Sequence, residues 1–97
     1  MKSSLLIPLV IVTLLTSVHA GADVNKGFAA AEARDYATAA QEFKNATEQG
    51  DARAQTFLGA MYRDGEGVLQ DYKEAVRWFR LAAEQGLAQG HLNLALM

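Results

Sequence analysis

The feature that most limits what this chain can become is a repeat. A shift of 36 lays residues 35–50 over 71–86. It pairs Asp35 with Asp71, Tyr36 with Tyr72, Ala39 with Ala75, Phe43 with Phe79 and Ala46 with Ala82, and Glu48-Gln49-Gly50 with Glu84-Gln85-Gly86. Eight of these sixteen positions are identical, where unrelated segments would share about one. The same shift carries Ala52 onto Ala88, Leu58 onto Leu94 and Met61 onto Met97, so a third unit has begun where the sequence stops. A period of this length belongs to arrays in which each unit buries its apolar face against the next. Every other residue is therefore read first by its place in the unit.

Within a unit the apolar spacing is helical. Ala54, Phe57, Leu58, Met61 and Tyr62 recur at i, i+3, i+4, i+7 and i+8, which lines one face of a helix turned toward a core. Gly65 is placed to close that helix in the left-handed conformation, and Gly67 permits a second unusual turn before Val68. Asp71 offers a carboxylate to the free amides of the next helix, with Glu74 three residues on to complete a capping box. That helix carries Tyr72, Ala75, Val76, Phe79 and Ala83 on one stripe, with Trp78 and Ala82 on its flank. The matched small residues Ala39, Ala46, Ala75 and Ala82 suit close helix approach, and Gly59 inside a helix implies a crossing that needs its missing side chain.

The predicted fold is all-α, a right-handed α-solenoid of stacked antiparallel helix pairs. Helices are expected at 23–33, 36–49, 52–64 and 72–85, with a stub from 88 onward. The boundaries are 23–50 for unit one, 51–86 for unit two and 87–97 for a cut-off unit three, the whole domain running from 21 to 97. Unit one joins its helices through Arg34-Asp35 alone and lacks the double-glycine loop.

Residues 1–20 read as an address. Met1-Lys2-Ser3-Ser4 is a short positive start, Leu5 to Leu15 is apolar apart from Pro8 and Thr13, and Val18-His19-Ala20 ends in small residues. That layout predicts a signal peptide cleaved between Ala20 and Gly21, hence a periplasmic or secreted chain with no stable membrane anchor. Net charge is −2 and there is no cysteine. Nucleic acid is therefore a poor partner, and disulfides and thiolate metal sites are excluded.

Ala52 to Tyr62, then Gly65-Glu66-Gly67-Val68, Gln70-Asp71-Tyr72, Ala75, Trp78-Phe79 and Ala82-Ala83-Glu84-Gln85-Gly86 resemble the Sel1-like repeat, a branch of the tetratricopeptide-type helical solenoids with an extra glycine loop. The likeness is strong over 51–86 and partial over 23–50 and 87–97. In the last stretch Ala95 stands where Gly59 has its counterpart. What the resemblance implies is an adaptor or scaffold that holds a protein or peptide partner. A cysteine-rich exported branch is associated with β-lactam binding or hydrolysis, and the absence of cysteine departs from it.

No reading of the residues yields catalysis, a cofactor or a metal site. His91 is the single histidine after position 20 and matches Gln55, an ordinary helix position; all three serines fall before position 21; and no Gly-Lys-Ser/Thr follows the glycines of 65–67. Trp78 reads as packing before it reads as an interaction hot spot. If the apolar stripe faces inward, Gln55, Thr56 and Arg63 lie on the remaining face of the first helix, with His91 at the place equivalent to Gln55. Those four residues are the expected partner-binding set. Two alternatives stay open: the chain is a truncated piece of a longer Sel1-repeat protein, or an envelope enzyme acting on β-lactams or peptidoglycan. Leu92, Leu94, Leu96 and Met97 cannot all face the preceding helix, so self-association through this end or a marginal fold is expected, relieved by a second helix added after Met97.

Overall fold

The computed structural model describes residues 24–97. The signal peptide and the cleavage between Ala20 and Gly21 lie outside the described residues. Among those residues there are five helices and no strand: α1 Val24–Glu32, α2 Tyr36–Thr47, α3 Ala52–Asp64, α4 Tyr72–Glu84 and α5 Ala88–Leu96. Each packs chiefly on its neighbour in sequence. The result is an all-α repeat fold of helix pairs.

The ends of the helices explain where the elements start and stop. Asp35 accepts from the Thr38 amide, Asp51 from the Arg53 and Ala54 amides, and Asp71 from the Lys73 and Glu74 amides, each carboxylate satisfying donors that a helix start leaves free. The reciprocal half of the capping box at Asp71 does not form. The Asp71 amide donates instead to the Tyr62 carbonyl at 2.8 Å, and Glu74 accepts from two Arg77 nitrogens, at 2.7 and 3.1 Å, a charge-assisted pair one turn along. α5 starts at Leu87 with no side-chain cap, although Leu87 is the counterpart of Asp51.

Helix exits follow one motif. Gly50, Gly65 and Gly86 have φ of 77°, 70° and 86°, and the residue after each donates back five positions, to Ala46, Met61 and Ala82. The matched Ala46 and Ala82 thus hold equivalent places in two copies of one cap, which ends α2 at Thr47 and α4 at Glu84, slightly before the expected limits. At the end of α1 Arg34 plays the glycine's part with φ 62°, its successor Asp35 donating to Ala30.

Close crossings hold each pair together. A Cβ on Gly59 would stand 2.7 Å from two ring carbons of Phe79 and 3.2 Å from the Ala75 carbonyl; the glycine is what lets α3 and α4 meet. Gly27 makes the same crossing in unit one, where a Cβ would stand 2.6 and 2.7 Å from ring carbons of Phe43. Phe43 and Phe79 are both fully buried, as are Ala39 and Ala75. Gly27 and Gly59 are 32 positions apart while Phe43 and Phe79 are 36 apart, and the glycine loop accounts for the difference.

That loop is pinned rather than loose. The Asp71 amide donates to the Tyr62 carbonyl and Gln70 Nε2 to the Arg63 carbonyl, both at 2.8 Å. Gly67, at φ 74°, lies so close to the Tyr36 carbonyl that any side chain there would collide with it. The loop therefore closes over the start of α2.

Two residues of the expected stripes do not sit as their spacing implied. Phe57 is 43% exposed, because Ala54 and Leu58 take the interior positions of α3 and the Phe57 ring leans against the outer edge of the core. Tyr72 is largely exposed as well; at the first position of α4 it borders an open hollow instead of a covering helix. On α5, Leu92 and Met97 are exposed, Leu96 is 72% exposed and Leu94 is half-buried.

Candidate partner-binding surface

The first helices of units two and three, α3 and α5, border a common hollow lined by Thr56, Phe57, Ala60, Arg63, Gln89 and Asn93. Its floor is aromatic. The Phe57 ring stacks 5.5 Å from Phe43 and stands edge-on to Phe28 at 4.8 Å, so a rigid, half-open ring is presented to solvent with its back supported. Its rim is polar, made by Arg63 and the exposed Gln89, while Asn93 borders it from the buried side of α5.

The four expected residues divide. Thr56 and Arg63 both border this hollow, but Thr56 is not on an open face: it is 5% exposed, and its hydroxyl donates to the Ala52 carbonyl of its own helix at 3.1 Å. Gln55 is not on an open face. It is 6% exposed, and its Oε1 accepts from Gln85 Nε2 at 2.8 Å, since the far end of α4 overlies this position and a buried amide needs a partner. Its role is to tie α3 to α4. His91 is exposed near the start of α5 and does not line the hollow.

Arg63 is the electrostatic pivot. It is bound to Asp64 through Nε at 2.9 Å and a second nitrogen at 3.1 Å, and its guanidinium carbon lies 5.9 Å from the Phe79 ring centre. The ion-paired hydrogen bond raises the Arg63 pKa and holds the Asp64 carboxyl below its usual range. Glu74 is lowered in the same way by its bond to Arg77. Partial burial of Asp51 on its own would raise that carboxyl, yet the Arg53 guanidinium and the helix amides outweigh it and leave it lowered.

Two further places complete the surface. Trp78 is half-buried against the core cluster with Arg77 stacked 4.3 Å over its ring, and its indole N–H is buried without an acceptor. It is a packing residue. Leu69, which the sequence reading passed over, stands 90% exposed in the glycine loop. No periodicity marks a single apolar residue in a loop, so nothing in the pattern could have signalled it.

Comparison with known proteins agrees with this architecture. The family model of the Sel1 repeat matches residues 52–87, which are α3, the glycine loop, α4 and its cap. Among solved structures, a Sel1 repeat protein from Oxalobacter formigenes is similar at a TM-score of 0.58 and 41% identity, over 60% of this chain and 24% of that one. The chain thus spans about a quarter of that protein's length. Comparison with curated proteins returns no match. Residues 52–87 are thus a Sel1 repeat, set in a stack of like helix pairs.

Proposed function

We propose that the chain is an exported scaffold without catalytic activity, which holds a protein or peptide segment in the hollow between α3 and α5. The Sel1 repeat at 52–87 suggests a role in protein interaction. The observation that carries the placement is Phe57: an aromatic ring nearly half exposed, braced from behind by Phe28 and Phe43, and rimmed by Arg63 and Gln89. Aromatic and arginine side chains of this kind dominate the binding energy of small interfaces. The exposed Gln89 adds a donor and an acceptor suited to a peptide backbone.

The test is capture of a partner from an envelope fraction, followed by variants. Phe57→Lys and Gln89→Arg should each weaken the captured complex about tenfold or more, while Glu66→Lys, on the glycine loop, should leave it unchanged. Charge reversal at Arg63 should weaken it too. The opposite ranking would move the site to the loop. Export is read from residues 1–20; mass spectrometry of the native protein should find Gly21 at its start, and an intact Met1 in a membrane fraction would refute it. Self-association through the exposed Leu92 and Leu96 is, in this reading, a concentration-dependent consequence of α5 and not the chain's task.

A further inference from the structure

The hollow between α3 and α5 narrows what can occupy it. Thr56 and Asn93 are buried and the Thr56 hydroxyl already donates to Ala52, so an occupant meets chiefly the Phe57 ring, Ala60, Arg63 and Gln89. At about 300 Å³ the space is at the small end of ligand pockets. It takes few side chains, too few for the run of anchors with which an amphipathic helix grips a groove. Phe57 stacks on Phe43 and is nearly perpendicular to Phe28, so what it offers an occupant is flat, apolar and already fixed in place.

The polar groups left at the rim are mostly donors. Arg63 spends Nε and Nη2 on Asp64, and its third nitrogen, Nη1, has no acceptor among the described residues. The Gln89 amide makes no hydrogen bond among them either. That leaves the N–H groups of Nη1 and of Gln89 Nε2 against a single acceptor, Gln89 Oε1. Charge points the same way. Among the described residues Arg63 alone brings a charge to the lining, and the Asp64 carboxylate 2.9 Å away neutralises it. A partner's carboxylate would have to compete with Asp64 or sit beside it, whereas a neutral carbonyl meets Nη1 without either penalty.

Resting on the placement of the site in this hollow, we propose that its occupant is a proline-rich segment of a partner protein in the polyproline II conformation. Such a segment has no internal hydrogen bonds, so its carbonyls stand free for Arg63 and Gln89. An ordinary extended peptide brings an N–H at every residue, and those facing Phe57 and Ala60 would find no acceptor. Proline has no N–H to leave unpaired. Its ring suits an aromatic face, and its fixed backbone loses little freedom on binding. The small Ala60, one turn along from Phe57, gives the chain room to approach the ring.

A fluorescein-labelled oligoproline peptide, titrated into the full chain and followed by anisotropy, tests this directly. Saturable binding with a Kd on the order of 100 µM is expected, weakened about tenfold or more by Phe57→Ala and several-fold by Gln89→Leu. Gln89→Leu changes an exposed side chain and removes only its polar group, which keeps the test decisive if Phe57→Ala unsettles the fold. Because Arg63 is already neutralised, raising the salt concentration should change the affinity little. Asp64→Asn unpairs Arg63 and should let a Glu-rich peptide of the same length gain several-fold, while oligoproline binding holds. Absence of oligoproline binding at concentrations on the order of millimolar would overturn the proposal. So would tighter binding of a Glu-rich or an amphipathic helical peptide to the parent, or oligoproline binding that neither Phe57→Ala nor Gln89→Leu weakens. A captured partner that ignores Phe57→Lys would overturn the placement of the site itself; one that responds to Phe57→Lys yet is not displaced by oligoproline would overturn only the proline-rich occupant.

Discussion

Two faces built from matching residues end in different states: the α2–α3 face is sealed by the glycine loop and α4, whereas the α4–α5 face stands open. Because the receiving residues correspond, the contrast isolates what the loop contributes. It is a lid for the preceding unit as much as a connector within its own. Val68 and Gly67 complete a core that α2 and α3 leave unfinished, and this is why the loop is rigidly bonded to the Tyr62 and Arg63 carbonyls. Unit one has no such loop and turns through Arg34 in a backbone conformation that glycine adopts more easily.

The largest expected effect breaks the lid. Gly67→Val puts a branched side chain at positive φ against the Tyr36 backbone, neither of which can yield cheaply, and should cost about 3 kcal/mol or more in urea unfolding. Next comes the crossing beneath it. Gly59→Leu drives into the Phe79 ring and should cost about 1–3 kcal/mol; an unchanged denaturation midpoint would mean that α3 and α4 can part without penalty.

Removing a cap has a smaller effect. Asp51→Ala should cost about 1 kcal/mol, and it carries a pH signature. The carboxyls of Asp51, Asp64 and Glu74 are lowered in the folded chain. Their contribution is complete above the unfolded carboxyl range and is lost as pH falls through the lowered folded values, so stability should decline below about pH 4. Asp51→Ala should flatten part of that decline. An acid titration identical in the variant and the parent would remove Asp51 from the account. The smallest effect has the opposite sign: Arg34→Gly relieves a left-handed arginine and should stabilise unit one by up to about 1 kcal/mol, readable as a rise in melting temperature.

Much of this was legible because it depends on local rules. The carboxylate caps at Asp35 and Asp71, the left-handed Gly65 and Gly67 and the crossing at Gly59 follow from what helix ends and close approaches demand of one residue at a time. The crossing at Gly27 was hidden by register: the shorter connector of unit one breaks the shift of 36, so Gly27 and Gly59 do not align. Gln55 was misplaced because an apolar stripe tells which side of a helix turns inward but not that the end of α4 overlies the next position. Glu74 was assigned to a cap and binds Arg77, because the glycine loop folds back to give the Asp71 amide to the Tyr62 carbonyl, a tertiary contact that sequence spacing does not reveal. Phe57 fitted the stripe and yet became the exposed centre of the candidate site, since Ala54 and Leu58 already fill the interior.

Amide hydrogen exchange on the full chain tests the contrast between the faces most directly. If the loop and α4 seal α2–α3 while α4–α5 stays open, amides around Leu58 and Met61 in α3 should exchange only through near-global unfolding. Those around Leu94 and Leu96 in α5 should open locally and exchange faster by a factor on the order of a hundred or more. Equal protection in α3 and α5 would contradict the account, because it would mean that the last helix is as firmly covered as its counterpart one repeat earlier.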